Sequence, residues 1–308
     1  MKRTLAGLAT AVAAALMLTA CGGSSNNNPL GGSSGSAGAP AASDTIKVGS
    51  ANFAESKLLA EIYAQALAAK GVKVEKNLGI GSREIYFPGI KDGSIDLVPE
   101  YTGVLLQYLD KKATATSPDE VYTELKKVLP PELTVLDKAS AEDKDAVVIT
   151  KETAAKYNAK SIADLAPKGS EITFGGPPEF KDRPDGIPGI KERYGLTFKE
   201  YKSLEPGPIT TKALLDGTIQ AADIFTTDAA IEANGFVVLE DPKNNFAAQN
   251  VVPVINTKKA SDTVKQVLNK IAAKLDTKAL LDLNGKLGAP DKPDPAKVAG
   301  EWLSTAGI

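Results

Sequence analysis

The sequence predicts an α/β protein built as two similar lobes, and three observations point there. A strand–helix–strand rhythm runs through the chain twice, which implies parallel pairing with right-handed crossovers. The segment Lys91-Asp92-Gly93-Ser94-Ile95-Asp96-Leu97 is echoed by Leu215-Asp216-Gly217-Thr218-Ile219-Gln220-Ala221, each a helix stopped by glycine before a buried strand. Finally, the length of 308 residues, less a non-globular amino terminus, suits two domains of about 150 residues each.

The elements follow in order. Met1-Lys2-Arg3 is a positive start, and Leu5–Leu18 is an uncharged apolar run. That run is shorter than the roughly 20 residues a spanning helix needs, so it reads as the core of a signal peptide. It ends at Leu18-Thr19-Ala20-Cys21-Gly22, and Cys21 is the only cysteine. No intramolecular disulfide can form. From 22 to 43 the chain is almost wholly Gly, Ser, Asn, Ala and Pro, a flexible tether with an end-to-end distance of about 25 Å.

Folded structure is expected from Asp44. Strands are predicted at Ile46–Gly49, Val72–Val74 and Ile95–Val98, with a helix over Phe53–Lys70 ended by Gly71 and another over Glu84–Lys91 despite Pro88. In the second half, strands are predicted at Ala146–Thr150, Ile172–Phe174, Ala221–Ile224, Val237–Leu239 and Val251–Ile255. Helices are predicted at Ile209–Leu215, Asp262–Leu275, Lys278–Leu283 and Pro295–Leu303, with Trp302 packing the last. Gly79-Ile80-Gly81 before Ser82 and Arg83 reads as a turn and helix cap, because its spacing does not complete a dinucleotide fingerprint.

Composition narrows the chemistry. A net charge of −2 gives no footprint for nucleic acid. There is no histidine, which removes Ser-His-Asp and Cys-His nucleophiles and the commonest neutral metal ligand. No metal site or cofactor is indicated. A carboxylate-using enzyme or a tethered scaffold without a ligand are the rival readings.

Two resemblances sharpen this picture. Leu18-Thr19-Ala20-Cys21 is similar to the lipobox of bacterial lipoproteins, which implies cleavage before Cys21 and acylation of its thiol, with stable membrane attachment. The segments Gly49–Glu55, Gly93–Gly103, Gly175–Phe180, Arg183–Gly186, Phe225–Asp228 and Val238–Asp241 together resemble the glycine betaine, choline and osmoprotectant-binding proteins of ABC importers. The resemblance implies a two-lobed periplasmic-binding-protein fold (type II) with two hinge strands and the ligand in the cleft between lobes. It further implies a monomer held by its lipid anchor at the outer face of the cell membrane, delivering a small solute to a permease and its ATPase, and no catalysis. The implied lobes are 44–143 with 249–308, and 144–248, with crossings near Asp143-Lys144 and Phe246–Gln249.

In that family, aromatic rings surround a quaternary ammonium, and basic and hydroxyl groups hold the carboxylate. Matching by motif, Tyr101 retains a box ring and Arg183 the carboxylate-binding arginine, while Phe225 keeps a ring without the usual hydroxyl. Ala51 stands in place of a lysine, Val104 of a threonine, and Asp145 and Gln249 of tyrosines. Losing two cation–π contacts of about 0.5–2 kcal/mol each predicts roughly tenfold to thousandfold weaker betaine binding. A neutral or hydroxylated ligand, such as a sugar or polyphenol stacked on Tyr101 and Phe225, suits these residues better. The plainer alternatives are a core role for Tyr101, an ion pair of Arg183 with Asp182 or Asp185, and a solvated charge for Asp145.

Overall fold

The computed structural model describes residues 45–308. The apolar run, Cys21 and the tether lie outside them.

Ten strands form two five-stranded sheets of matching plan. The first contains β1 (Ile46–Ala51), β2 (Val74–Gly81), β3 (Leu97–Tyr101), β4 (Leu133–Val135) and β10 (Val251–Asn256), in the order β2-β1-β3-β10-β4. The second contains β5 (Val147–Ile149), β6 (Thr173–Gly176), β7 (Glu200–Ser203), β8 (Ala221–Asp223) and β9 (Val237–Val238), in the order β7-β6-β8-β5-β9. In each, three strands run parallel and the fourth, β10 or β5, is antiparallel to both neighbours. The chain passes from the first sheet to the second between β4 and β5 and returns between β9 and β10. At these crossings Glu142 bridges Asn250.

Helices cover both faces of each sheet, as buried parallel strands require. Around the first sheet they are α1 (Ala54–Ala69), α2 (Arg83–Asp92), α3 (Thr102–Leu109) and α4 (Pro118–Val128). The second sheet carries α5 (Lys151–Tyr157), α6 (Ile162–Leu165), α7 (Ile187–Tyr194), α8 (Pro208–Leu215) and α9 (Ala230–Asn234). The chain closes with α10 (Asp262–Lys274), α11 (Thr277–Leu287) and α12 (Pro295–Ala306) back on the first. Leu58, Leu59, Ile62, Ala66 and Leu67 of α1 recur at helical spacing and are buried in one core with Leu268, Leu280 and Leu303, against which Trp302 packs. A second core lies on the other face, with Phe87, Leu105 and Leu125.

Three expectations need correction. The strand predicted at Val72–Val74 begins at Val74 and runs to Gly81, through the segment read as a turn. It is an edge strand whose Glu75, Lys76 and Asn77 are exposed, so no apolar alternation marks it. Gly79 and Gly81 take positive φ within it, beside a register shift between Gly49 and Ala51. The strand predicted at Ile95–Val98 is displaced to Leu97–Tyr101 and contains Pro99. Pro99 lies directly opposite Pro253 of β10, so both missing N–H groups fall at one place in the ladder. Asp145 is not a solvated charge: it is 5% exposed.

Candidate functional site: the cleft between the sheets

The site is assembled from ends of elements. The carboxyl end of β1 brings Ala51, and the turn after it brings Asn52 and Phe53. The junction of β3 with α3 brings Tyr101 and Val104. The crossing segments bring Asp143, Asp145 and Gln249, and the loops beyond β6 and β8 bring Pro177, Arg183 and Phe225. All seven residues singled out from the sequence (Ala51, Tyr101, Val104, Asp145, Arg183, Phe225 and Gln249) line this one cavity. It holds about 610 Å³ of empty space, its open mouth included. Open α/β sheets place ligands at this position, beyond the carboxyl ends of their strands.

One wall is aromatic. Phe53 lies between two of the expected rings, with centroids 5.1 Å from Phe225 and 6.0 Å from Tyr101, tilted by 54° and 34°. The Tyr101 hydroxyl donates to Glu55 Oε1 at 2.6 Å, which fixes the ring. Glu55 is 5% exposed and also accepts from Thr227 Oγ1 at 2.6 Å and from Asn284 Nδ2. Burial pushes its pKa up, and these hydrogen bonds only partly offset the effect.

Beside this wall lies a cluster of deeply buried acids. Asp143 accepts from the Thr227 backbone N–H at 3.0 Å, and burial together with the Glu55 charge raises its pKa. Asp145 Oδ2 accepts from Gln249 Nε2 at 2.9 Å, so these two cavity residues hold each other. Burial and then Asp145 push the carboxyl of Asp185 up to about 6.

Both arginines of the cavity are already paired. Arg83 makes a bidentate bridge to Glu100, with Nε–Oε1 at 2.8 Å and the second nitrogen at 2.7 Å from Oε2. Tyr86 donates to the same carboxylate at 2.6 Å. Burial works against the Arg83 charge, but Glu100 outweighs it and holds the pKa above its ordinary value. Arg183 donates twice to Glu84, each at 3.1 Å, and lies 3.8 Å from Glu179. Its partners are therefore Glu84 and Glu179 rather than Asp182 or Asp185. Since Glu84 belongs to α2 and Arg183 follows β6, this pair spans the cleft. Asn52 Nδ2 donates to Glu205 across the same gap at 3.2 Å.

Sequence reasoning missed Phe53, Tyr86, Arg83 and Asp143 as cavity residues. Phe53 stood inside the Gly49–Glu55 motif and could have been found. The approach of Arg83 to Glu100 carried no local signal. Among the described residues no group of three metal-ligating side chains is placed to hold an ion, and no helix is long and apolar enough to cross a membrane.

Comparison with known proteins places this geometry. The family described as the substrate-binding domain of ABC-type glycine betaine transport systems matches residues 44–305. A glycine-betaine-binding protein of Pseudomonas aeruginosa is 27% identical over 280 residues, covering 85% of this chain and 88% of that protein. The glycine betaine-binding protein YehZ of Escherichia coli is 28% identical over 281 residues, covering 86% and 92%. A solved glycine betaine/carnitine/choline ABC transporter structure superposes with a TM-score of 0.67 at 23% identity, over 85% of this chain and 98% of that one, and shares the fold. The two-sheet plan and the cleft agree with this match: the chain belongs to the family of substrate-binding domains of ABC-type glycine betaine transport systems and is a binding component, not an enzyme.

Proposed function

We propose that the protein is the extracytoplasmic, lipid-anchored solute receptor of an ABC importer, and that its preference has moved from small betaines towards a hydroxylated or aromatic solute. Lobes of 44–143 with 249–308, and of 144–248, close on that solute and present it to a permease and its ATPase. Tyr101, Phe225, Arg183, Asp145, Gln249, Ala51 and Val104 contact it. The anchor rests on Leu18-Thr19-Ala20-Cys21, and the mass of the mature amino-terminal peptide tests it, because an unmodified Cys21 removes the claim.

The observation that carries the ligand reading is the pairing of a ring wall with buried acceptors in one cleft, where no cation is left free for a carboxylate. Phe53, Tyr101 and Phe225 offer faces to stack on, and Asp145 with Gln249 offers acceptors. Ala51 supplies no charge, and a betaine carboxylate must compete with Glu84 for Arg183. Titration calorimetry with glycine betaine, choline and proline betaine is therefore expected to give dissociation constants in the high-micromolar range or weaker. Low-micromolar binding of any of the three contradicts the shift and leaves the importer assignment standing.

A further inference from the structure

A smaller second hollow opens off the main cleft, sharing Pro177, Pro206 and Phe225 with it and ending at Asp223. Asp223 is the last residue of β8, at the carboxyl end of the parallel trio β7-β6-β8, and is 4% exposed. Neither of its oxygens meets a donor, and the carboxyl it faces, that of Asp145, can pair with it only by sharing a proton. Buried carboxylates are almost always hydrogen-bonded, so two orphaned oxygens on one residue call for an explanation. Gly176 of the neighbouring strand packs closely against it: a Cβ there would come within 3.1 Å of the Asp223 Cβ and 2.9 Å of the Tyr201 hydroxyl. Tyr201 itself donates away, to the Pro177 carbonyl. Asp223 thus offers acceptors, and apart from a proton shared with Asp145 no protein donor reaches them.

We infer that Asp223, with Asp145, forms a subsite for the hydrogen-bond-donating end of the solute, an O–H or N–H group that a fully methylated betaine lacks. The inference rests on the reading of the cleft as a solute site. A donor arriving there gives Asp223 a partner other than the Asp145 carboxyl it faces. The ring wall of Phe53, Tyr101 and Phe225 holds the other end, since Phe225 borders both hollows. Protonation separates two sources of donor. Burial, followed by the charges of Asp145 and Asp185, raises the Asp223 pKa. Arg183 opposes this, and Tyr201 and Asp228 are the other titratable groups nearby. An ammonium favours the charged carboxylate and so draws protons off the site, whereas a neutral hydroxyl does not.

The test titrates the parent and Asp223→Asn with catechol (O–H donors), tyramine (an ammonium and a phenol) and glycine betaine (no donor), in two buffers of different ionisation enthalpy. At least one donor probe is expected to bind the parent at millimolar concentration and to weaken about tenfold or more in Asp223→Asn. Proton release with tyramine marks the ammonium as the occupant; its absence with catechol marks the hydroxyl. Glycine betaine affinity is expected to be unchanged, and the solute-free variant to melt no lower than the parent, because the asparagine amide can donate to Asp145 where the acid could pair only by sharing a proton. A clear drop in melting temperature marks Asp223 as structural and overturns the inference. Equal binding of donor probes by parent and variant also overturns it, as does failure of both to bind the parent. If both fail while glycine betaine binds, the subsite alone is lost; if none of the three binds, the reading of the cleft falls with it.

Discussion

Glu100→Ala is expected to lower the stability of the protein by roughly 3–5 kcal/mol, the range for removing one partner of a buried ion pair. Glu100 is fully buried and Arg83 is 6% exposed. The Glu100 carboxylate accepts from two Arg83 nitrogens, the Tyr86 hydroxyl and the Tyr101 backbone N–H. Truncation leaves the guanidinium without its bidentate partner, with only the more distant Glu84 charge nearby, and two further donors unmet. Because Glu100 immediately precedes Tyr101 in β3, the cleft ring should loosen as well. The exposed pair Lys212–Asp216 provides the comparison: its removal is expected to change stability by less than about 1 kcal/mol. Urea unfolding of both variants decides. A loss below about 1 kcal/mol for Glu100→Ala means that the Arg83–Glu100 bridge does not hold the site.

Stability should fall as the pH rises from 5 to 7, and Asp185→Asn should flatten that fall. Asp185 is 3% exposed, and burial followed by the charge of Asp145 carries its pKa from 3.8 to about 6. An acid raised in the folded state contributes fully below its unfolded pKa and loses that contribution as the pH climbs through the folded one. The displacement from 3.8 to about 6 corresponds to roughly 3 kcal/mol in all, of which about 1 kcal/mol falls between pH 5 and 7. Glu84 behaves oppositely. Burial works to raise its pKa, but the hydrogen bonds and charge of Arg183 prevail and lower it to about 2. Its contribution is therefore constant above pH 5 and is lost only as the pH falls from its ordinary 4.5 towards 2. Melting temperatures measured from pH 5 to 7 check the sign. A parent curve that rises over this range contradicts the buried-acid account.

Much of the fold was legible because its signals are local. The α1 stripe from Leu58 to Leu67 and the glycine stops at Gly93 and Gly217 need only neighbouring residues to be read. The cavity positions were legible through motifs, and those from Ala51 to Gln249 converge on one cleft. What escaped depends on tertiary context. Edge strand β2 is polar on its exposed residues, and β3 runs through Pro99, which faces Pro253 in the ladder. The short β4 and β7 and the helices α3 and α4 carried no pattern that stood out from their surroundings. Asp223 looked like the end of an ordinary Ala-Ala-Asp-Ile strand; its orphaned oxygens emerge only when Asp145 and Gly176 are brought beside it.

The two lobes are expected to close over a solute in this cleft. Arg183–Glu84, Asn52–Glu205 and Thr227–Glu55 are the contacts that closure would make and opening would break. Spin labels at Lys111→Cys and Lys191→Cys, both exposed and on opposite lobes, in a chain carrying Cys21→Ser, report the separation directly. The account predicts a broad distribution of longer distances without solute and a single shorter one with the tightest-binding solute of the titrations. The same distribution in both states, with binding verified by calorimetry, would contradict it.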